Sequence, residues 1–363
     1  MRQHKIDKKF LISFIILIGC GFFIFMSASL GLLARQGATF SSVAIKQILI
    51  GLVLGTAVLL AFMKLPYQLL KKHALYIAAF SLFATLLVFV PHVGFAHGGA
   101  KRWISFGPLS FQPSEFLKIG FVIYFAAWLS TVKNKMDDYR FSLIPLAVLL
   151  GLAGVVMLLQ PDTGTFLVIA FSLIGIYIAA GCRFRDLGML FLAGCLCLGL
   201  LFAVRPYIRD RFLTFLDPAR DPLGAGYQIQ QAQIAIGSGG ALGRGFGQSV
   251  QKFNYLPEPI GDSIFAVVGE EFGFVGSTLL VLLYMFFCFQ GLKIAGRSSN
   301  QFGRLLVTGI VILILSESFI NIASMLGLLP LTGIPLLFVS QGGTALLFAM
   351  AEIGIVLNVS RHG

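Results

Sequence analysis

The amino-acid sequence predicts an all-α integral membrane protein with about ten transmembrane helices. Of the 363 residues, 57% are hydrophobic and only 12% are charged, whereas a soluble domain carries about 25% charged residues. A helix needs about 20 apolar residues to cross a hydrocarbon core roughly 30 Å thick, and ten segments of about this length run through the chain. No soluble domain of ordinary size remains between them. We therefore expect a single polytopic membrane domain over residues 1–363.

Each predicted helix corresponds to an apolar segment. The ten segments cover residues 10–33, 44–63, 74–91, 113–131, 142–159, 164–181, 186–204, 264–296, 304–328 and 333–358. The first segment is longer than the apolar stretch of about 7–15 residues in a cleaved signal peptide, so we interpret it as a retained helix.

Lysine and arginine are distributed unevenly between alternate loops. If the N-terminus is cytoplasmic, sixteen of these residues lie in cytoplasmic stretches: Arg2, Lys5, Lys8, Lys9, Lys64, Lys71, Lys72, Lys133, Lys135, Arg140, Arg183, Arg185, Lys293, Arg297, Arg304 and Arg361. The short outer loops then hold four, namely Arg35, Lys46, Lys101 and Arg102. Because cytoplasmic loops are enriched in Lys and Arg, both termini are predicted to be cytoplasmic. The net charge of +12 is therefore a topology signal, and we expect no nucleic-acid partner.

One outer loop, residues 205–263 between the seventh and eighth segments, is much longer than an ordinary connection. Residues 207–216 alternate charged and apolar groups at helical spacing, which favours a helix lying along the membrane interface. Residues 226–236 are typical of a second, polar helix, and residues 237–247 are rich in glycine, so their backbone can approach a ligand closely. Long structured loops of this kind are usually functional.

Charged residues at membrane depth are candidates for function, because each costs at least ~2.5–3.5 kcal/mol to insert. Glu115 and Lys118 are three residues apart and share one face of the fourth predicted helix. They either form an ion pair that only neutralises itself or line a polar cavity. The spacing leaves both interpretations open.

Two aspartates precede predicted helices. Asp162 lies in a very short outer turn, and Asp262 ends the long outer loop. An aspartate just before an apolar segment commonly caps the helix, which is the simplest interpretation of both. Asp262, however, is also a carboxylate at the membrane surface, where it accepts a proton from a substrate hydroxyl if its surroundings raise its pKa.

Basic residues on the outer side are candidates for binding phosphate. Arginine suits this role because its planar fork donates two hydrogen bonds to phosphate oxygens. The alternative is a basic loop attracted to anionic lipid headgroups. Both interpretations apply to Arg102 and to the basic residues of the long loop, which are Arg205, Arg209, Arg211, Arg220, Arg244 and Lys252.

Four stretches together resemble the SEDS peptidoglycan glycosyltransferases, a family that includes FtsW, RodA and SpoVE. They are residues 102–118, 160–164, 245–276 and 333–343. They occur in the family's order and span nearly the whole chain, and residues 247–258 are closest to the FtsW branch. The resemblance implies a ten-helix protein of the bacterial plasma membrane that polymerises lipid II for division. It also implies a class B penicillin-binding protein and other division-complex membrane proteins as partners.

The resemblance also implies an active site. The family's essential aspartate follows Leu-Pro-Glu and corresponds to Asp262, although the family's usual His-Thr-Asp-Phe is Ile-Gly-Asp-Ser here. The family's Ser-Tyr-Gly-Gly-Ser is likewise altered, to Ser340-Gln-Gly-Gly-Thr344. We expect Asp262 to deprotonate the acceptor sugar 4-hydroxyl, with inversion at the donor sugar. Arg102, Lys118, Glu115, Asp162, Arg244 and Lys252 are the predicted substrate and pyrophosphate contacts.

Two questions stay open at this stage. A divalent cation, Mg²⁺ or Mn²⁺, has a conceivable place at Asp262 or the pyrophosphate, although the sequence shows no ligand cluster. Two other functions also fit a membrane protein of this kind. One is a lipid II flippase, which needs polar groups across the whole bundle. The other is a non-enzymatic scaffold that recruits the crosslinking enzyme and does not need Asp262.

Overall fold

The computed structural model describes residues 6–34, 43, 45, 47–97, 100–106 and 109–362, and within them the chain is mostly helical. The helices are α1 (Lys8–Ser29), α2 (Gly55–Lys64), α3 (Tyr67–Lys72), α4 (Ala74–Leu86), α5 (Pro113–Thr131), α6 (Leu143–Leu159), α7 (Thr163–Ala179), α8 (Phe184–Val204), α9 (Pro206–Leu216), α10 (Ala225–Ser238), α11 (Ile264–Arg297), α12 (Gln301–Met325) and α13 (Gly343–His362). A π-helix, Gln47–Leu54, leads into α2. The strands are β1 (Gly94–His97), β2 (Ala100–Phe106) and β3 (Leu109–Phe111).

The predicted membrane helices are present. Six of the described helices are long and apolar enough to cross a membrane: α1 with its following turn, the π-helix joined to α2, α8, α11, α12 and α13. Three shorter apolar helices are α4 with its following turn, α6 and α7. With the 19-residue α5, these make ten in the described part of the chain. The prediction of an all-α membrane fold with about ten transmembrane helices is therefore confirmed.

The tenth predicted segment has the wrong start. It was expected at residue 333, but α13 begins at Gly343, and residues 326–342 form turns and irregular backbone. We call this stretch the 326–342 segment. Its apolar composition matches that of a membrane helix, yet Pro330 and Pro335 disfavour a continuous helix, and Gly333 has a φ of 69°. Hydropathy alone does not detect such a break.

A small antiparallel sheet, not predicted from the sequence, joins α4 to α5. Its strand order is β1-β2-β3. Phe95 pairs with Trp103 and Ala96 with Lys101, so Arg102 is the extra residue of a β-bulge. Bulges change the direction of a side chain and are common next to active sites. Here the bulged residue is one of the predicted pyrophosphate contacts.

The two ends of the helix bundle are distinguished by their contacts. At one end, the main-chain N–H of Asp7 donates to Ser360 Oγ at 3.5 Å, and Arg297 lies 3.5 Å from the Asp7 carboxylate. The first and last helices therefore begin and end on the same side, as an even number of crossings requires. The sheet, α9, α10 and the 326–342 segment lie at the opposite end, which we call the sheet end.

The long 205–263 loop is structured as predicted. The amphipathic residues form α9 and the polar residues form α10. Helix α10 packs against α11 and α12, whereas α9 contacts α8, which has no buried residue except Asp186. The loop therefore covers the sheet end of the bundle from α8 to α12.

Candidate active site

Asp262 lies at the sheet end, and its carboxylate does not cap the helix that follows. Helix α11 begins at Ile264 with Ser263 at the N-cap position and no side-chain cap. Instead, Gln228 Nε2 on α10 donates to Asp262 Oδ1 at 3.0 Å. Asp262 Oδ2 accepts no hydrogen bond from the residues that the structure describes. The capping interpretation of Asp262 is therefore wrong, and one carboxylate oxygen is left for a ligand.

The backbone around Asp262 is held by α12 and the 326–342 segment. Asn321 Nδ2 donates to the main-chain carbonyls of Asp262 and Ile334, both at 2.7 Å. Ser340 Oγ donates to the carbonyl of Gly261 at 2.6 Å. These side chains come from positions 59 to 79 residues away in the chain. The carboxylate is thus presented from a rigid backbone, which catalysis requires.

The surroundings of Asp262 favour a proton-accepting role. Burial, opposed by the hydrogen bond from Gln228 and reinforced by the charge of Glu258, raises the pKa of Asp262 to about 6. A carboxylate with this pKa is largely ionised at neutral pH yet is a stronger base than an ordinary aspartate. Asp262 therefore has both the free oxygen and the basicity of a general base.

Arg102 and Asp162, both predicted site residues, form an ion pair. Arg102 Nε lies 3.7 Å from Asp162 Oδ2 and donates to the Gln160 carbonyl at 3.3 Å. The same guanidinium also donates to the carbonyl of Pro161. Asp162 Oδ1 accepts from the N–H of Thr165, so the predicted cap of α7 is confirmed. Asp162 thus caps a helix and positions Arg102 at the same time.

The 326–342 segment brings this ion pair and Asp262 to the same region. A Cβ at Gly164, two residues after Asp162, would collide with Thr332 and Ile334. A Cβ at Gly333 would lie 4.0 Å from Asp262 Oδ2. Residues 332–334 therefore lie between the start of α7 and the Asp262 carboxylate.

Glu115 and Lys118 meet a third charged residue that sequence reasoning did not connect to them. Lys118 Nζ lies 2.9 Å from Glu115 Oε2 and 2.6 Å from Glu317 Oε2 on α12. All three side chains are at most 5% exposed. Glu317 Oε1 and Glu352 Oε2 on α13 have no hydrogen-bond partner among the described residues. Glu317 also lies within electrostatic range of Asp162, so this charged cluster lies near the Arg102 pair.

The position of Lys118 bears on its predicted role. Two carboxylates engage its ammonium group, so a phosphate there would have to share or displace one of them. Its contact with pyrophosphate stays a prediction. The ion pair with Glu115, by contrast, is present as the sequence spacing suggested.

Lys252 is a predicted substrate contact that the structure places in a closed environment. Its ammonium group donates to Glu271 Oε1 at 2.7 Å, the Gly247 carbonyl at 2.9 Å and Ser27 Oγ at 3.3 Å. The Lys252 side chain is 0% exposed, and its three N–H donors are all engaged. Binding of pyrophosphate by Lys252, as predicted, would require these bonds to open. The observed contacts fasten the loop to α1 and α11.

Arg244 and the glycine-rich loop are also attached to α11. Arg244 NH1 lies 3.4 Å from Glu270 Oε1 and is 41% exposed, so part of its guanidinium is available. Helix α11 is interrupted at Gly273, where φ is 64°. A Cβ at Gly273 would overlap the main chain of residues 241 and 243, and a Cβ at Gly243 would overlap the main chain of residues 271 and 272. The glycines thus allow the loop to approach α11 itself, rather than a ligand as the sequence suggested.

The sequence left open a divalent cation at Asp262. One Asp262 carboxylate oxygen accepts from the Gln228 amide N–H₂, which disfavours a cation at that oxygen, whereas the charge of Glu258 acts on the same carboxylate. The residues that the structure describes contain no group of three or more His, Cys, Asp or Glu side chains suited to a metal ion. A divalent cation at Asp262 therefore stays a prediction, and no catalytic step is assigned to one.

Arg211 is a site residue that the sequence did not single out from the other basic residues of its loop. It lies on α9, within electrostatic range of Arg102, Asp162 and Asp262. Burial lowers its pKa, which is the behaviour of a guanidinium removed from solvent. No local sequence signal distinguishes it from Arg205 or Arg209.

Comparison with known proteins identifies the family. The family model described as "Cell cycle protein", FtsW/RodA/SpoVE, matches residues 8–363. Stage V sporulation protein E of Bacillus subtilis is 36% identical over 312 residues, which are 85% of this chain and 84% of that protein. The probable peptidoglycan glycosyltransferase FtsW of Idiomarina loihiensis is 35% identical over 349 residues, covering 95% of this chain and 85% of that one.

Solved structures agree with this assignment. A chain of a peptidoglycan synthase complex that coordinates polymerization and crosslinking has a TM-score of 0.82 at 28% identity, with 98% of each chain covered. The rod shape determining protein RodA of Thermus thermophilus has a TM-score of 0.70 at 25% identity, covering 98% of this chain and 97% of that one. Because the family model spans residues 8–363 and relatives match along most of their own length, this chain belongs to the FtsW/RodA/SpoVE family.

Proposed function

We propose that this membrane protein is a peptidoglycan glycosyltransferase that polymerises lipid II into glycan strands for the division septum. The single observation that carries this proposal is the placement of Asp262, a basic carboxylate with one oxygen free, in the same region as the Arg102 guanidinium. Relatives named probable peptidoglycan glycosyltransferase FtsW, at 34–37% identity over most of the chain, support it.

The reaction follows from this arrangement. The oxygen of the acceptor sugar 4-hydroxyl attacks the anomeric carbon of the donor sugar and forms the new glycosidic bond. Asp262 Oδ2 takes the hydroxyl proton, while the bond between the anomeric carbon and the pyrophosphate oxygen breaks. Lipid pyrophosphate leaves with the electron pair, and the anomeric configuration is inverted. General-base help of this kind contributes about 10²–10⁴-fold.

The leaving group needs positive charge as the bond breaks. Arg102 is suited to this because its guanidinium is held by the Gln160–Asp162 turn and remains 16% exposed. Asp162 orients Arg102, and the buried Glu115–Lys118–Glu317 cluster lies near this pair. Arg244, which keeps part of its guanidinium exposed, remains a candidate for a more distant contact with the lipid headgroup.

The proposed partner is a class B penicillin-binding protein, which crosslinks the strands that this protein makes, along with other division-complex membrane proteins. The structural similarity to a chain of a peptidoglycan synthase complex supports such an assembly. The proposed location is the bacterial plasma membrane, with both termini in the cytoplasm and the sheet end outside. The excess of basic residues at the opposite end supports this orientation.

The test of the proposed function is a polymerisation assay. Purified protein with its penicillin-binding partner should convert lipid II into glycan polymer, detected by gel after labelling. If the protein makes no polymer but moves lipid II across vesicle membranes, it is a flippase. If it does neither, it is a scaffold.

The pH dependence of polymerisation should report the state of Asp262. A base with a pKa of about 6 is protonated below that pH, so the rate should fall as the pH drops through about 6. The hydrogen bond from Gln228 stabilises the ionised carboxylate, so a Gln228→Leu substitution should move this acidic limb to higher pH. A limb that stays in place in Gln228→Leu would mean that another group controls the rate. The measurement is the initial rate between pH 4.5 and 8 at saturating lipid II.

The membrane orientation is tested independently. Reporter fusions at Lys135 and at Arg297, which lie in basic connections opposite the sheet end, should report cytoplasmic positions. A fusion at Gly240 should report an external position. A cytoplasmic signal at Gly240 would invert the orientation and place Asp262 on the wrong side of the membrane for wall synthesis.

A further inference from the structure

A guanidinium on the amphipathic helix α9 lies above the candidate site with part of its hydrogen-bonding capacity unused. Arg211 is partly buried, and its NH1 nitrogen is enclosed without a hydrogen-bond partner among the residues that the structure describes. An unpaired buried N–H group costs roughly 1–3 kcal/mol, and more when it is charged. A ligand with an acceptor oxygen would satisfy this N–H group.

The position of Arg211 is fixed by Tyr207, one helical turn earlier on α9. The Arg211 guanidinium lies 4.7 Å from the centroid of the Tyr207 ring, in cation–π geometry. The Tyr207 hydroxyl in turn donates to the Pro161 carbonyl at 3.2 Å. Arg102 donates to the same carbonyl, so the Gln160–Asp162 turn binds Arg102 directly and also binds Tyr207, the residue that contacts Arg211.

The charges around Arg211 define what it can bind. It lies within electrostatic range of Arg102, Asp162 and Asp262. Asp162 is already paired with Arg102, and Asp262 Oδ1 is already held by Gln228. Arg102 and Arg211, which lie within electrostatic range of each other, are stable together when an anion lies between them. A pyrophosphate, with several acceptor oxygens, matches two guanidinium forks.

We propose that Arg211 is a second pyrophosphate-binding residue, which acts with Arg102 on the leaving group of the donor lipid, and that Tyr207 positions it. The catalytic role of Arg211 rests on the proposed function, but its binding of a pyrophosphate lipid does not. Arg211 contacts the pyrophosphate oxygens, stabilises the charge that develops on them, and keeps the departing group directed away from Asp262.

Helix α9 offers a matched control. Arg209, two residues earlier, lies 3.9 Å from Asp210 with its side chain 50% exposed. An Arg209→Gln substitution removes the same charge from the same helix without touching the site. Arg211→Gln removes the proposed contact, and Arg211→Lys retains the charge but not the planar fork. Tyr207→Leu removes the ring beneath Arg211, and Tyr207→Phe removes only the hydroxyl.

In the first experiment, each purified protein in detergent is titrated with undecaprenyl pyrophosphate, and the heat of binding is measured by calorimetry. We expect Arg211→Gln to bind about 10-fold more weakly than wild type, Arg211→Lys and Tyr207→Leu to be intermediate, and Arg209→Gln to be unchanged. Thermal unfolding of every variant shows whether it is folded. If Arg211→Gln does not fold, Arg211→Lys takes its place. Weaker binding by Arg211→Lys than by Arg209→Gln then supports the inference, and equal binding overturns it.

The second experiment is the polymerisation rate of the same variants. Removal of one donor to a developing negative charge lowers kcat by about 10²-fold, so we expect a loss of that order for Arg211→Gln with a smaller change in KM. Wild-type affinity for undecaprenyl pyrophosphate in Arg211→Gln would overturn the inference, as would an equal loss in Arg209→Gln. If the wild type binds undecaprenyl pyrophosphate through Arg211 but makes no polymer, the inference stands and the proposed function fails.

Discussion

We expect the Asp262→Asn variant to fold and insert normally and to make no glycan polymer from lipid II. Asparagine has nearly the same shape as aspartate and can still interact with Gln228, but it does not accept a proton near neutral pH. The rate should therefore fall by at least about 10²–10⁴-fold, the contribution of a general base. The measurement is the amount of polymer made by purified protein with its partner at pH 7.5.

The stability of Asp262→Asn should not decrease, although its polymerisation activity is lost. The raised pKa of Asp262 means that the folded protein disfavours the ionised carboxylate at neutral pH. Neutral asparagine removes that penalty, so the thermal midpoint at pH 7.5 should equal or exceed that of wild type. The difference should shrink as the pH falls and Asp262 itself becomes protonated.

A matched control is available in the same loop. Asp210 on α9 has a side chain that is 69% exposed, and Asp210→Asn should leave polymerisation unchanged. Polymer from Asp262→Asn at the wild-type rate would remove the catalytic assignment. Loss of polymer together with loss of the folded protein would indicate a structural role instead.

The second large effect concerns stability. Lys118→Met should destabilise the protein by about 3–5 kcal/mol, the cost of leaving buried charges without their partner. The ammonium group lies between Glu115 and Glu317, and neither carboxylate has access to solvent. The free energy of unfolding in detergent, measured by denaturant titration, should show this loss directly.

Pairwise substitutions separate this cause from a packing defect. Adding Glu317→Gln to Lys118→Met removes one of the two stranded carboxylates, so the double variant should be more stable than the sum of the single changes predicts. Additive losses would mean that Lys118 and Glu317 are not energetically coupled. The control Lys293→Met, at an exposed position on α11, should change stability by roughly 0.5 kcal/mol or less. A double variant that is folded but inactive would support a direct role for Lys118 at the pyrophosphate.

The membrane helices could be predicted from the sequence because hydropathy acts locally. A residue in contact with lipid must be apolar whatever its distant neighbours are, so a run such as that of α8, which has no buried residue except Asp186, is visible in the chain itself. The irregular backbone of the 326–342 segment was not predicted for the same reason. Most of residues 331–340 are apolar because they are enclosed by protein next to Asp262, and composition does not distinguish enclosure by protein from contact with lipid.

The site could be predicted only in part. Asp262 was found through a resemblance, while its local position before α11 favoured a capping role that the structure does not contain. In place of a cap, the Asp262 carboxylate accepts a hydrogen bond from Gln228, which lies 34 residues earlier on α10. Asp162 is the contrasting case, because its cap of Thr165 needs only neighbours in the chain.

What the sequence by itself determined is the set of properties that depend on near neighbours: the ten apolar helices, the charge bias of the loops, the structured 205–263 loop and the cap at Asp162. The tertiary structure decided which distant side chains meet. Lys118 pairs with Glu317, 199 residues away, and Lys252 is enclosed by Glu271 and by Ser27, 225 residues away. Such pairs form because helix packing removes charged groups from water and leaves them only one another as partners. The same packing leaves Arg211, one arginine among several in its loop, within electrostatic range of Asp262, with no hydrogen-bond partner for NH1 among the described residues.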